Sequence, residues 1–159
     1  MRVKIFQRIL IVLIILFFLP GSGYSSSGQD FFREAYVASM KREWNLAIDL
    51  YNKSINLNPD NAAAYVQRAS VYQMVERFDD AIRDYEEALK LRPDYYLAME
   101  YLGSLYENRN EYSKAVQIYS RALSLVKDPK WRSVIQWKIS EAKKKAVNAR
   151  ADRGRILNR

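Results

Sequence analysis

The stretch RFDDAIRDYEEALKLRP, Arg77–Pro93, decides how the rest of the chain folds. Its residues Phe78, Ala81, Tyr85, Ala88, Leu89 and Pro93 recur 34 positions earlier as Trp44, Ala47, Tyr51, Ser54, Ile55 and Pro59. They recur again 34 positions later as Tyr112, Ala115, Tyr119, Ala122 and Leu123. A fixed period of this length is the signature of stacked repeats. Within each copy the residues fall three and four apart, so they share one face of a helix. Asn45, Asp79 and Ser113 stand just ahead of that face and are the expected N-caps, since their side-chain oxygens can accept from first-turn N–H groups.

Each cap is preceded by a second periodic segment: Phe31, Ala35 and Ala38; Tyr65, Ala69 and Tyr72; Met99, Gly103 and Tyr106. Each unit is therefore helix, tight turn, helix. Three columns are small in every copy: Ala35, Ala69, Gly103; Ala47, Ala81, Ala115; Ser54, Ala88, Ala122. Small side chains let two antiparallel helices approach while large neighbours fill the remaining space. Pro59-Asp60 and Pro93-Asp94 end a unit, because proline cannot continue a helix, and their Asp, or Asn61, is expected to cap the next.

This pattern resembles the tetratricopeptide repeat, a helix pair of 34 residues. The resemblance covers repeats at about 28–61, 62–95 and 96–129. It implies an all-α chain, a right-handed α-solenoid of antiparallel helix pairs spanning 30–150. After Pro129 one more amphipathic helix, about 130–150 and marked by Trp131, Ile135, Ile139, Ala142 and Ala146, is expected to cover the bare apolar end of the array. Trp137 falls off that stripe.

The N-terminus reads as an export signal. Arg2, Lys4 and Arg8 precede eleven apolar residues, Ile9–Leu19, and then Pro20, Gly21, Ser22 and Gly23. As a helix that run would reach roughly 17 Å, short of the roughly 30 Å hydrocarbon layer. Residues 1–23 are expected to be removed as a signal peptide, with cleavage before Tyr24, which places the mature protein in a bacterial periplasm or outside the cell. The alternative is an uncleaved inner-membrane anchor and a tethered envelope assembly factor. Tyr24–Gln29, rich in Ser and Gly, reads as a flexible leader.

The chain has neither cysteine nor histidine. That removes disulfides, thiol nucleophiles, Cys/His zinc sites and the usual general base of hydrolases. Glu100, Glu107 and Glu111 lack a partner of that kind and read as solvated helix faces. No catalytic residue, metal or cofactor is expected, and the chain is read as a protein-interaction scaffold rather than an enzyme.

In the resembled family the concave face is lined by positions two, five, nine and twelve of each first helix. The resemblance carries these onto Gln29, Phe32, Tyr36 and Ser39; Ala63, Val66, Ser70 and Gln73; and Leu97, Glu100, Ser104 and Glu107. Such a groove would be apolar at one end and acidic at the other, suited to a protein or peptide segment with apolar anchors and a basic stretch. The carboxylate-clamp subclass needs Lys and Asn where this chain has Phe32 and Tyr36, so a chaperone C-terminus is not the expected ligand.

Charge is split along the chain. Residues 127–159 hold 11 basic and 3 acidic side chains, while the repeats are mildly acidic. Lys143, Lys144, Lys145, Arg150, Arg153 and Arg155 form a basic patch that runs into a basic tail at 151–159. It could attract anionic lipid or an acidic partner. For an exported chain, nucleic acid is a poor partner.

Overall fold

The computed structural model describes residues 27–157, with side chains through Ala151. Among these residues the regular elements are seven helices: α1 Gly28–Met40, α2 Trp44–Leu57, α3 Ala62–Met74, α4 Phe78–Leu91, α5 Tyr96–Asn108, α6 Tyr112–Leu125 and α7 Pro129–Leu157. They pair as hairpins α1/α2, α3/α4 and α5/α6. Each hairpin leans on the next through α2/α3 and α4/α5, giving a right-handed solenoid that α7 closes against α6. The expected signal segment lies outside the described residues. Of the expected leader, Gly28 and Gln29 belong to α1, whose start is fixed by Ser27 and Asp30. The Asp30 N–H donates to Ser27 Oγ at 3.2 Å and the Ser27 N–H donates back to Asp30 Oδ2 at 2.9 Å, a capping box.

The three small columns are packing columns, as expected. Every member is buried, and beside them Tyr51, Tyr85 and Tyr119 are the largest fully buried side chains. The approach is tightest at Gly103, where an added Cβ would stand 2.4 Å from Cε1 of Tyr119. Only a residue without a side chain lets that ring lie flat against α5.

The helix caps differ from the sequence expectation. Asn45, Asp79 and Ser113 are not N-caps: α2, α4 and α6 each begin one residue earlier, after Glu43, Arg77 and Glu111, none of which makes a side-chain capping bond. Asn61 does precede α3 but likewise makes no such bond, and Tyr95 rather than Asp94 precedes α5. The within-repeat turns are built from the backbone instead. Arg42, Glu76 and Asn110 adopt positive φ of 62°, 59° and 60°. The N–H of the next residue then donates back across the turn: Glu43 to Ala38 O, Arg77 to Tyr72 O and Glu111 to Tyr106 O, at 2.8–3.0 Å. This six-to-one bond, with the five-to-two bond beside it, closes the first helix of every repeat without a side chain. Asp79, released from capping, pairs with Arg109 in the following repeat.

The two joints between repeats differ in chemistry. Between repeats one and two, Arg68 on α3 forks onto Asp84 of α4 at 2.7 Å through two nitrogens and donates to Asn52 of α2 at 2.6 Å. In the next repeat the positions of Arg68 and Asp84 hold Leu102, buried in the apolar core, and Ile118, half-buried against it.

The last helix is longer than the sequence suggested, running to Leu157 rather than 150. Pro129 is its first residue, where the missing N–H costs nothing. The Asp128 carboxylate accepts the N–H groups of Lys130 and Trp131 at 2.8 and 3.1 Å. Ile135 and Ala142 bury against α6 as expected. Trp131 leaves the expected stripe for the groove edge, its ring centroid 6.3 Å from that of Tyr96.

Candidate partner-binding groove

The first helices α1, α3 and α5 carry the expected groove residues, and each second helix sends its tyrosine up from below. In repeat two the Tyr85 hydroxyl donates to Gln73 Oε1 at 2.5 Å and lies 3.2 Å from Ser70 Oγ. In repeat three the Tyr119 hydroxyl donates to Glu107 Oε1 at 2.9 Å and lies 3.1 Å from Ser104 Oγ. Burial pushes both phenols well above their ordinary pKa, so they remain proton donors.

Repeat one departs from this rule. The matching positions hold Tyr36 and Ser39, and the Ser39 hydroxyl bonds Ala35 O at 3.0 Å and Tyr36 O at 2.8 Å in its own helix. The Tyr51 hydroxyl is buried with the Ser39 side chain as a polar neighbour but makes no hydrogen bond of normal geometry. Phe32 sits edge-on to its ring with centroids 5.8 Å apart, and Tyr36 is 47% exposed. This end of the groove is aromatic and open. Leu97 is half-buried further along. Val66 is corrected to a core residue: it is 0% exposed, its short branched side chain covered within the packed helices, so it offers no surface to a ligand.

The acidic end is already occupied by the chain itself. Lys138 of α7 lies 3.3 Å from Glu100 Oε1 and 3.3 Å from Ser104 Oγ, and 5.5 Å above the Tyr119 ring. Lys145 reaches Glu107 Oε2 at 2.8 Å, a bond that holds its ammonium above the ordinary lysine pKa. Glu111 pairs with Lys114 and Arg109. The three glutamates are thus ion-paired rather than bare solvated acids.

The sequence reading missed α7 as part of the groove, although the signal was present. Carrying the period of 34 past Pro129 takes Leu97, Glu100, Ser104 and Glu107 onto Trp131, Val134, Lys138 and Glu141. The helix is the first half of a fourth unit, and its side chains form a fourth rung.

The basic patch is not one surface. Successive helical residues point about 100° apart, so Lys145 turns to Glu107, Lys143 lines a cleft against Ser113 and Val116, and Lys144 faces outward. Arg150 lines the same cleft as Lys143. Arg153 and Arg155 lie on the α7 backbone, beyond the described side chains. Among the described residues no helix is long and apolar enough to cross a membrane.

The family profile described as "Tetratricopeptide repeat" matches residues 66–130. No curated protein matches the chain by sequence. Among solved structures, the chain superposes on the TPR2B domain of yeast Sti1 in its pHsp70 complex. That match has a TM-score of 0.68 and 21% identity, and covers 74% of this chain and 97% of that one. The first tetratricopeptide domain of Spaghetti (RPAP3), bound to the HSP90 peptide SRMEEVD, superposes with a TM-score of 0.66 and 24% identity, covering 78% and 99%. The MamA protein is 27% identical, with a TM-score of 0.62 over 64% of this chain and 56% of that one. In the matched segment, in its period and in its helix stack the chain is similar to tetratricopeptide-repeat proteins, with three helix pairs closed by a long final helix.

Proposed function

We propose that the chain is a non-enzymatic, exported adaptor that holds an apolar segment of a protein partner at the repeat-one end of its concave groove. One observation carries this reading: the acidic end is taken by Lys138 and Lys145, whereas Tyr36 stands exposed beside the half-buried Phe32, with nothing among the described residues laid over it. The partner's binding energy is then apolar burial, roughly 1.5–3 kcal/mol for each large side chain covered. A basic stretch in the partner, expected from sequence to face Glu100 and Glu107, is no longer needed. The structural neighbours bind Hsp70 and HSP90 peptides. An acidic peptide of that kind is not the ligand proposed here, because Phe32 and Tyr36 supply no cation to its carboxylates. Export rests on Arg2, Lys4, Arg8 and the apolar run that follows.

The test places a photo-crosslinking amino acid at Tyr36 of the intact chain, in its own cells, and maps the captured peptide. An apolar segment is expected, captured less when Leu97→Ala is added. Capture no stronger at Tyr36 than at the exposed Asp49 of α2 would end the groove reading. Mass spectrometry of the N-terminus, expected near Tyr24, checks export separately.

A further inference from the structure

The period of 34 places one more residue where none of its counterparts would fit. Ala35, Ala69 and Gly103 are each buried, Gly103 directly against the Tyr119 ring; the next member of the column is Trp137, 63% exposed. A helix seated on α7 as α6 sits on α5 would have to overlap the indole, since even a Cβ at Gly103 collides with Tyr119. This face of α7 therefore refuses the next helix of an array.

The face nevertheless has a definite chemistry. Lys130 and Lys144 stand seven residues to either side of Trp137, close to the same line along the helix. Both are exposed, as are Ser133 and Ser140 between them, and neither lysine makes an ion pair among the described residues. Of the other described cations of the helix, Lys138 and Lys145 are held at the glutamates and Arg132 at the carbonyls of Leu123 and Val126, while Lys143 and Arg150 line the cleft against α6. On this face stands one indole between two ammonium groups, exposed among the described residues.

We propose that this face of α7 is a docking surface for an anionic phospholipid bilayer. An indole with a polar N–H settles at the boundary between head groups and acyl chains. Lysines beside it extend their stems along the surface and keep the ammonium among phosphates. A flat bilayer also meets a steric demand that a packed helix cannot. Read as a signal or as an anchor, the apolar run Ile9–Leu19 would bring the chain to a membrane, so the choice of lipid over nucleic acid rests on the export reading above. The surface lies apart from the groove and does not depend on it.

The test uses the intact chain, whose N-terminal segment is the same in every variant. Binding is compared on phosphatidylcholine vesicles with and without about one-third phosphatidylglycerol. The anionic preference is expected to fall at least about tenfold in Lys130→Glu with Lys144→Glu. Lys143→Glu with Arg150→Glu, the same charge change on the side facing α6, should cost clearly less. Fluorescence of Trp137, read with Trp44→Phe and Trp131→Phe in place, is expected to be quenched by brominated acyl chains, and Trp137→Ser should weaken anionic binding while leaving the helical circular dichroism unchanged. Equal losses from the two charge pairs, an unquenched Trp137, or equal binding to neutral vesicles would overturn the proposal. So would stronger dependence on Lys130 and Lys144 with a single-stranded oligonucleotide than with vesicles.

Discussion

Lys145 Nζ donates to Glu107 Oε2 at 2.8 Å, tying α7 to the last turn of α5, and Glu107 accepts the Tyr119 hydroxyl on its other oxygen. The carboxylate side chain is only 14% exposed, so the two donors are unequal. Lys145→Ala should cost less than about 1 kcal/mol, because a half-exposed ammonium is well solvated once released. Glu107→Ala should cost about 1–2 kcal/mol, since a buried phenol then loses its acceptor. Urea denaturation of both variants checks this. A larger loss at Lys145 would mean that the ion pair, not the phenol, holds the site.

The three buried tyrosines offer an internal comparison. Tyr85→Phe and Tyr119→Phe should each lose about 1 kcal/mol, because Gln73 and Glu107 lose a donor. Tyr51→Phe removes a hydroxyl that makes no hydrogen bond of normal geometry and should leave stability unchanged or raise it. Thermal melts of the three variants distinguish the cases; three equal losses would contradict the structure.

Arg42 and Glu76 occupy the left-handed region where a Cβ is strained. Arg42→Gly and Glu76→Gly should each stabilise by about 0.5–1 kcal/mol, the relief exceeding the added entropy of the unfolded chain. Asn110→Gly should gain less, because asparagine tolerates this conformation. Chemical denaturation midpoints decide, and a loss at all three turns would show that their side chains matter more than their backbone.

Acid should weaken the fold. The Ser27 N–H and hydroxyl hold Asp30 below the usual carboxylate range, and hydrogen bonds from Arg109 and Lys114 do the same for Asp79 and Glu111. A depressed folded value contributes stability that is present above the ordinary carboxylate pKa and is lost as pH falls through the lower folded one. The melting temperature is therefore expected to fall on acidification below that range. Added salt should shrink the part of the drop due to Asp79 and Glu111, since these pairs lie at the surface.

Periodicity made the stack legible: the small columns and the buried tyrosines follow from side-chain size at fixed spacing. The turns did not follow, because Arg42, Glu76 and Asn110 close their helices with backbone bonds that leave little mark in residue type. Asn45, Asp79 and Ser113 therefore looked like caps only because nothing else did. Of the expected groove residues, Phe32, Tyr36 and Leu97 were found at least partly accessible. Val66 was not, because burial depends on the neighbouring helices and not on register alone. The pairing of Glu100 and Glu107 with Lys138 and Lys145 depends on how α7 crosses α5. A run of three lysines read along the chain conceals that its members diverge around a helix.

The unlike joints between the repeats give the rod two temperature laws. The joint holding Leu102 and Ile118 depends mainly on apolar burial, which weakens on cooling, since the Asp79–Arg109 pair that also crosses it lies at the surface and adds little. The joint made by Asn52, Arg68 and Asp84 depends on charged hydrogen bonds and does not share that dependence. Chilled, the molecule should loosen first between its second and third repeats, so that α5, α6 and α7 part as a unit from the N-terminal half.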